Sequence, residues 1–295
     1  MKRSIGVIRL SALIVVLALV AAGFGLFYPA TGSPFSFTTI RGQTVQIWGQ
    51  GWYRYDSPIA ALSFRAGDLV TLVLAIPLLI LSTLLYRRGS LRGGLLLAGT
   101  LAYFLYNYIS VAFGAAYNDL FIVYVALLSA SLYALLLALL SFDAPALPAR
   151  FSARLPRRGI GIFLIVSGVI LLLVWLLLSV LPALLAGQAP PEAYYYTTFV
   201  TGIVDMGIVA PALIAAGALL LRRAPGGYLL AGMMLAFTVV LGPSLIVAGI
   251  VQLSAGAISV GQAMAFTLPF AILTLFAVGY AIALFRDVSS SPLKP

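Results

Sequence analysis

Residues 64–99 read FRAGDLVTLVLAIPLLILSTLLYRRGSLRGGLLLAG, and residues 199–232 read FVTGIVDMGIVAPALIAAGALLLRRAPGGYLLAG. Each stretch sets an acid near one end of an apolar run, a proline inside it and a double arginine at its other end. A Gly-Gly pair then opens the next apolar run (Gly93-Gly94 and Gly226-Gly227). About 20 apolar residues in a helix cross roughly 30 Å of hydrocarbon. The arginines stop the first run at water, and the second run turns back. Two such reversals in one chain predict a polytopic helical membrane protein.

Composition agrees. Of 295 residues, 63% are hydrophobic and 8% are charged. A soluble domain carries roughly 25% charged residues, so most of this surface faces something other than water. Eight stretches are long and apolar enough to span: 8–28, 68–86, 94–114, 119–140, 160–185, 200–221, 228–251 and 263–285. A long outer loop, 29–67, follows the first. The start of the chain also resembles a signal peptide, with a basic Lys2-Arg3, an apolar run and the small residues Ala21-Ala22-Gly23. Its run is long enough to span, and an uncleaved helix is the reading favoured.

Charge placement orients the spans. Of the 17 lysines and arginines, only Arg41, Arg54 and Arg65 fall on one side of the alternation; the rest, from Lys2 to Lys294, fall on the other. By the positive-inside rule the chain runs N-in, C-in in the cell (plasma) membrane, with both termini cytoplasmic. The net charge of +10 follows from these short clusters, so nucleic acid is not an expected partner. The expected partners are the lipid bilayer, a small solute with a proton or cation, and a membrane-protein partner or second copy.

The two quoted blocks suggest a duplication, with halves 1–148 and 149–295 of four spans each. An even number of spans per half gives both copies the same orientation. The plainer alternative is that an arginine turn followed by Gly-Gly recurs wherever an inner turn is short.

Absent residues exclude chemistry. The chain has no Cys and no His. Disulfides, Cys/His zinc sites, iron–sulfur clusters and His-ligated haem are therefore ruled out. The only lysines, Lys2 and Lys294, sit at the ends, so a buried Schiff base is impossible. No cofactor or metal is expected. The Gly-rich turns lack a phosphate-loop pattern.

The polar residues inside the spans remain. Asp205 lies about 9 Å below the outer end of its span, at 1.5 Å per residue. An ionised Asp there costs roughly 2.5–3.5 kcal/mol, so it faces the bundle interior. Asn107 with Tyr106, Pro243-Ser244, and Thr267 with Pro269 fall at similar depth. Prolines free carbonyls that can line a cavity. These features predict an outward-facing polar pocket of Asp205, Asp68, Asn107, Tyr106, Ser244 and Thr267. Asp68 and Asp119 also suit the plainer role of complementing the positive ends of their helices. Residues 38–48, with a turn at Arg41-Gly42, predict a small β-hairpin in the outer loop. Ser57-Pro58 reads as a helix start ahead of the bilayer. Trp52, Arg54 and Asp56 are candidate outer contacts, with an interfacial aromatic belt as the plainer reading.

Three functions follow. The first is a small-solute or ion-coupled transporter in which Asp205 titrates. The second is a non-enzymatic sensor or assembly subunit acting through the outer loops. The third is an intramembrane carboxylate hydrolase. Ala66-Gly67-Asp68, Tyr55-Asp56 and Pro211-Ala212-Leu213 resemble presenilin-type aspartyl proteases, but Arg65 replaces the first Gly of that family's GxGD. Asp56 lies in a loop, and Pro-Ala-Leu recurs at 145 and 182 by composition. Without a catalytic signature, a non-enzyme is the expectation.

Overall fold

A computed structural model describes residues 2–288; Lys294 lies outside them. Eight helices are long and apolar enough to cross a membrane: α1 Ile5–Phe27, α2 Pro58–Arg87, α3 Leu91–Gly114, α4 Phe121–Leu140, α5 Arg157–Leu185, α6 Val200–Leu221, α7 Pro225–Ser254 and α8 Val260–Asp287. Beyond α1, strands β1 (Phe35–Thr38) and β2 (Thr44–Ile47) pair antiparallel, with Phe35 opposite Ile47 and Thr38 opposite Thr44. The turn between them uses Gly42 at φ 76°, a conformation that suits glycine.

The helix that carries the span expected at 68–86 begins ten residues before it, at the start that Ser57-Pro58 predicts: Ser57 caps it by accepting from the Ala60 N–H at 3.2 Å, with Pro58 as first helical residue. Ala61, Leu62 and Ala66 bury the face of this early part against the bundle. The loop between α1 and α2 is correspondingly shorter than 29–67. Asp68 therefore sits about three turns inside α2 and does not complement the positive end of that helix.

Helices α3 and α7 form the centre. They pack on each other; α3 also meets α2, α4 and α6, and α7 meets α2, α6 and α8. Contact is close because Gly99 lies on the α7 backbone: a Cβ there would stand 2.6 Å from the Met233 carbonyl oxygen and against Ala236 Cβ. Towards lipid, α4 and α1 pack together beside α2, and α5 packs on α6.

The recurring Gly-Gly has a packing cause. A Cβ on Gly93 would lie 2.8 Å from the Leu85 carbonyl carbon, and one on Gly227 would run into the backbone of Leu219 and Leu220. Each glycine lets a helix fold back directly on the one before it. The turns align through Gly89 at φ 80° and Arg223 at φ 58°. The structural partner of the second arginine in one turn is thus a glycine in the other.

Three spans carry a π-helical turn: Thr71–Ala75 in α2, Leu176–Val180 in α5 and Asp205–Val209 in α6. Each ends two residues before a proline (Pro77, Pro182, Pro211). Proline has no N–H, so the carbonyl one turn back loses its partner. The preceding residue's amide reaches back five residues instead, as Ala210 N–H does to Asp205 O. Pro243 and Pro269 lie within α7 and α8 without such a turn.

At one end of the bundle, Lys2 N–H donates to Ser141 O (2.7 Å), Arg3 Nη1 to Arg87 O (3.0 Å) and Arg92 to Val288 O (2.7 Å). Both described ends of the chain thus join the arginine turns.

Gly99→Val should lower stability by about 1–3 kcal/mol through overpacking at the α3–α7 contact. Unfolding in mixed detergent micelles measures this against Gly279→Ala, where a Cβ meets open space. A Gly99→Val protein as stable as the parent would mean the two helices do not meet at that residue.

Candidate functional site

The buried carboxylates Asp68, Asp205 and Asp56 centre two nests within the helices and one cap at their hairpin end. The first nest centres on Asp68, whose Oδ2 accepts from Tyr53 Oη at 2.8 Å. Gly25 of α1 faces the same carboxylate and leaves it room that a Cβ would take. Tyr53 lies in the loop between α1 and α2 but is buried; burial first, then the neighbouring Asp68, hold its phenol well above its ordinary pKa, so it stays a donor. One turn along α2, Thr71 Oγ1 meets Tyr103 Oη at 3.1 Å, and Tyr103 Oη lies 3.2 Å from Ser244 Oγ and 3.4 Å from the Gly67 carbonyl. This cluster joins α2, α3 and α7. Tyr108 Oη is buried and has no hydrogen-bond partner among the described residues.

The second nest centres on Asp205, the first residue of the π turn in α6. Its Oδ2 accepts from the Trp175 indole N–H of α5 at 2.8 Å, and Tyr106 of α3 stands beside the carboxylate. Phe199 stands edge-on to Trp175 at 4.9 Å, and Phe237 edge-on to Tyr106 at 5.7 Å. Neutral donors alone hold Asp205 among the described residues. In α5, Ser179 of the π turn donates to Glu192 of the following loop.

The candidate residues are therefore divided. Asp68 and Ser244 belong to the first nest, and Asn107 borders it, its Oδ1 facing Gly67. Asp205 and Tyr106 make the second. Thr267 stands apart, its side chain seated on Gly249 between α7 and α8. Asp68 and Asp205 share no hydrogen-bond partner, and each is buried.

The cap is built from the loops between α1 and α2 and between α5 and α6. Trp52 is buried and donates to Tyr124 Oη at 2.9 Å. Asp56 is also buried; its Oδ1 accepts from Ala116 N–H at 2.8 Å and Tyr196 Oη at 2.9 Å. Arg54 lies over the Tyr55 ring at 4.8 Å. Tyr194 Oη bonds both the N–H and the C=O of Gln46 on the hairpin, and Arg41 donates to the carbonyls of Tyr196 and Thr197. Tyr194 holds φ at 45°, outside the usual range of a side-chain-bearing residue. The tyrosines here act as bonds between two loops, and Trp52 and Asp56 point inward rather than to an outside partner.

Sequence reasoning did not single out Tyr53, Thr71, Tyr103 or Trp175. One signal was present for Thr71. It stands six residues before Pro77, as Asp205 stands six before Pro211. Aligning the blocks on their acids had paired Asp68 with Asp205 and hidden this.

Compared with known proteins, the chain matches no family model, no curated protein and no solved structure. Eight apolar helices around polar nests define a multi-pass membrane protein.

Burial raises the Asp56 pKa to about 7, and its two hydrogen bonds offset only part of that rise. The unfolded carboxyl titrates near 4, so the folded cap binds the proton more tightly. The contribution of Asp56 to stability is full below about pH 4 and declines as pH rises to about 7, by up to about 1.4 kcal/mol per pH unit. Hydrogen exchange at the Trp48 and Ala116 amides, corrected for intrinsic rates, should show more opening at pH 8 than at pH 5. Asp56→Asn should flatten the difference; a wild-type cap with no pH dependence would contradict it.

Proposed function

We propose that the protein is a small-solute carrier of the plasma membrane that couples transport to a proton or cation at Asp205. The observation that carries this is a buried carboxylate on a broken helical turn, held by Trp175, with Tyr106 beside it and no arginine or lysine on it among the described residues. A charge without a countercharge is costly in hydrocarbon, and such residues mark ion and proton paths. The π turn supports the same reading, because such turns concentrate at functional sites and leave carbonyls for a ligand. In this reading the first nest would supply further polar groups for a solute, among them Asp68, Asn107 and the unpaired Tyr108 Oη. The burial of both Asp68 and Asp205 suits the occluded step of a carrier cycle.

The remaining architecture is part of the proposal. A duplication of halves 1–148 and 149–295 is supported by the packing of α3 on α2, α4 and α7, which parallels that of α7 on α6, α8 and α3. Rocking of one half on the other about the α3–α7 contact would alternate access. The positive-inside rule sets the arginine end and both termini in the cytoplasm.

The test uses proteoliposomes loaded with a pH-sensitive dye and challenged with amino acids, sugars and small carboxylates. Solute-linked proton entry should fall by roughly 100-fold or more in Asp205→Asn, whose amide oxygen still accepts from Trp175. Equal flux and equal pH dependence in Asp205→Asn would end this reading. The runner-up, an assembly subunit, is favoured by the hairpin tip, where Ile40 is 81% exposed. Crosslinking from that tip to a single reproducible partner, with no solute moving protons, would replace the carrier by the subunit.

A further inference from the structure

The arginine end of the bundle carries a cavity of about 450 Å³, within the range of ligand sites. Arg92, Arg150 and Arg286 line it, with Ser152 and the single carboxylate of Asp287. Three guanidinium groups against one carboxylate leave a formal charge of +2. The arginines come from three parts of the chain: the second residue of α3, the short turn Pro148–Arg150, and the last turn of α8.

Topology alone accounts for arginines at this end but not for their convergence on one cavity. Arg92 is fixed there. Its Nε and Nη2 donate to Val288 O at 3.2 and 2.7 Å, and Nη2 also donates to Arg286 O at 3.2 Å. Nη1 is left without a partner among the described residues. The opposite wall is fixed as well, since Ser152 N–H donates to Asp287 O at 3.1 Å and Phe151 bridges to Val288. The walls are therefore tied to one another before any ligand arrives, which lowers the ordering cost of binding.

We propose that this cavity binds a phosphate-bearing anion, supplied either by the headgroup of an anionic phospholipid or by free phosphate. Arginine forks match phosphate oxygens in pairs. The cavity lies level with the ends of α3 and α8, the depth at which headgroups stand, and basic pockets at helix ends hold anionic headgroups.

The experiment follows thermal unfolding of the full chain in a neutral maltoside detergent. The added probes are dioleoylphosphatidylglycerol, dioleoylphosphatidylcholine or inorganic phosphate. Phosphatidylglycerol should raise the midpoint by roughly 3 °C or more, and phosphatidylcholine should not. Removing each guanidinium should weaken apparent affinity by about tenfold, so R150Q/R286Q should lose about 100-fold. R222Q/R223Q removes two arginines from the same end but outside the cavity lining, and should respond like the parent. R150K/R286K keeps the charge without the forks and should bind with intermediate affinity, which covers the case in which R150Q/R286Q does not fold. A response to inorganic phosphate that matches and competes with the lipid response assigns the site to free phosphate. A response to the lipid alone assigns it to a headgroup. Equal stabilisation by phosphatidylcholine, or an unchanged lipid response in both cavity variants, overturns the proposal.

Discussion

Hydrocarbon offers no water to an exposed amide, so each crossing segment must satisfy its own backbone. That constraint explains why the spans are helical and why the places where helices depart from regularity are few and patterned. All three π turns end two residues before a proline. The proline removes one donor, and the widened turn shifts the preceding amide to a carbonyl five residues back. Two of the three turns begin on a hydrogen-bonding side chain, Thr71 and Asp205, where a widened backbone is paired with a polar group. Leu176 begins the third, and there the polar contact comes from Ser179 instead.

The same constraint governs the side chains. Each buried carboxylate has aromatic donors beside it: Tyr53 for Asp68, Trp175 and Tyr106 for Asp205, Tyr196 for Asp56. An aromatic donor suits this setting because its ring tolerates an apolar environment while its N–H or O–H meets the oxygen. Asp205 moreover has no arginine or lysine on it among the described residues. A buried Arg–Asp pair would lock the charge in place. In the proposed carrier, neutral donors would let the site exchange a proton or cation without breaking an ion pair.

The number of helices and their arginine turns were legible in the sequence because each depends on a run of about 20 apolar residues and a local charge cluster. The hairpin and the Ser57 cap were legible for a similar reason, since turn and cap chemistry is carried by two or three adjacent residues. The nests were only half legible. An intramembrane acid announces itself by its cost, so Asp205 stood out; its partner Trp175 is one apolar residue among many in α5. Tyr103 was hidden for the same reason, as a tyrosine in an aromatic-rich span. The plainer role of Asp68, complementing a helix end, conflicts with the Ser57-Pro58 start read from the same sequence, which sets Asp68 about three turns inside α2. The tyrosines at 194–196 are adjacent in sequence but bond to Gln46, Tyr55, Asp56 and Ser57. No local pattern carries such a pairing across some 140 residues.

Those distant pairings bear on how a carrier built this way would move. At the hairpin end, the loop between α1 and α2 is bonded to the loop between α5 and α6 through Tyr194, Tyr195, Tyr196 and Arg41. At the arginine end, Arg92 of α3 holds the end of α8. Both ends are therefore latched across the same central contact of α3 with α7. Alternating access needs one latch to open while the other holds, and the two differ in kind. The hairpin-end latch closes on Asp56, which gains a proton near pH 7. The arginine-end latch consists of guanidinium-to-carbonyl bonds that do not titrate in this range. A change in pH would bias the first and leave the second, so the hairpin end is the one whose opening the surroundings can set.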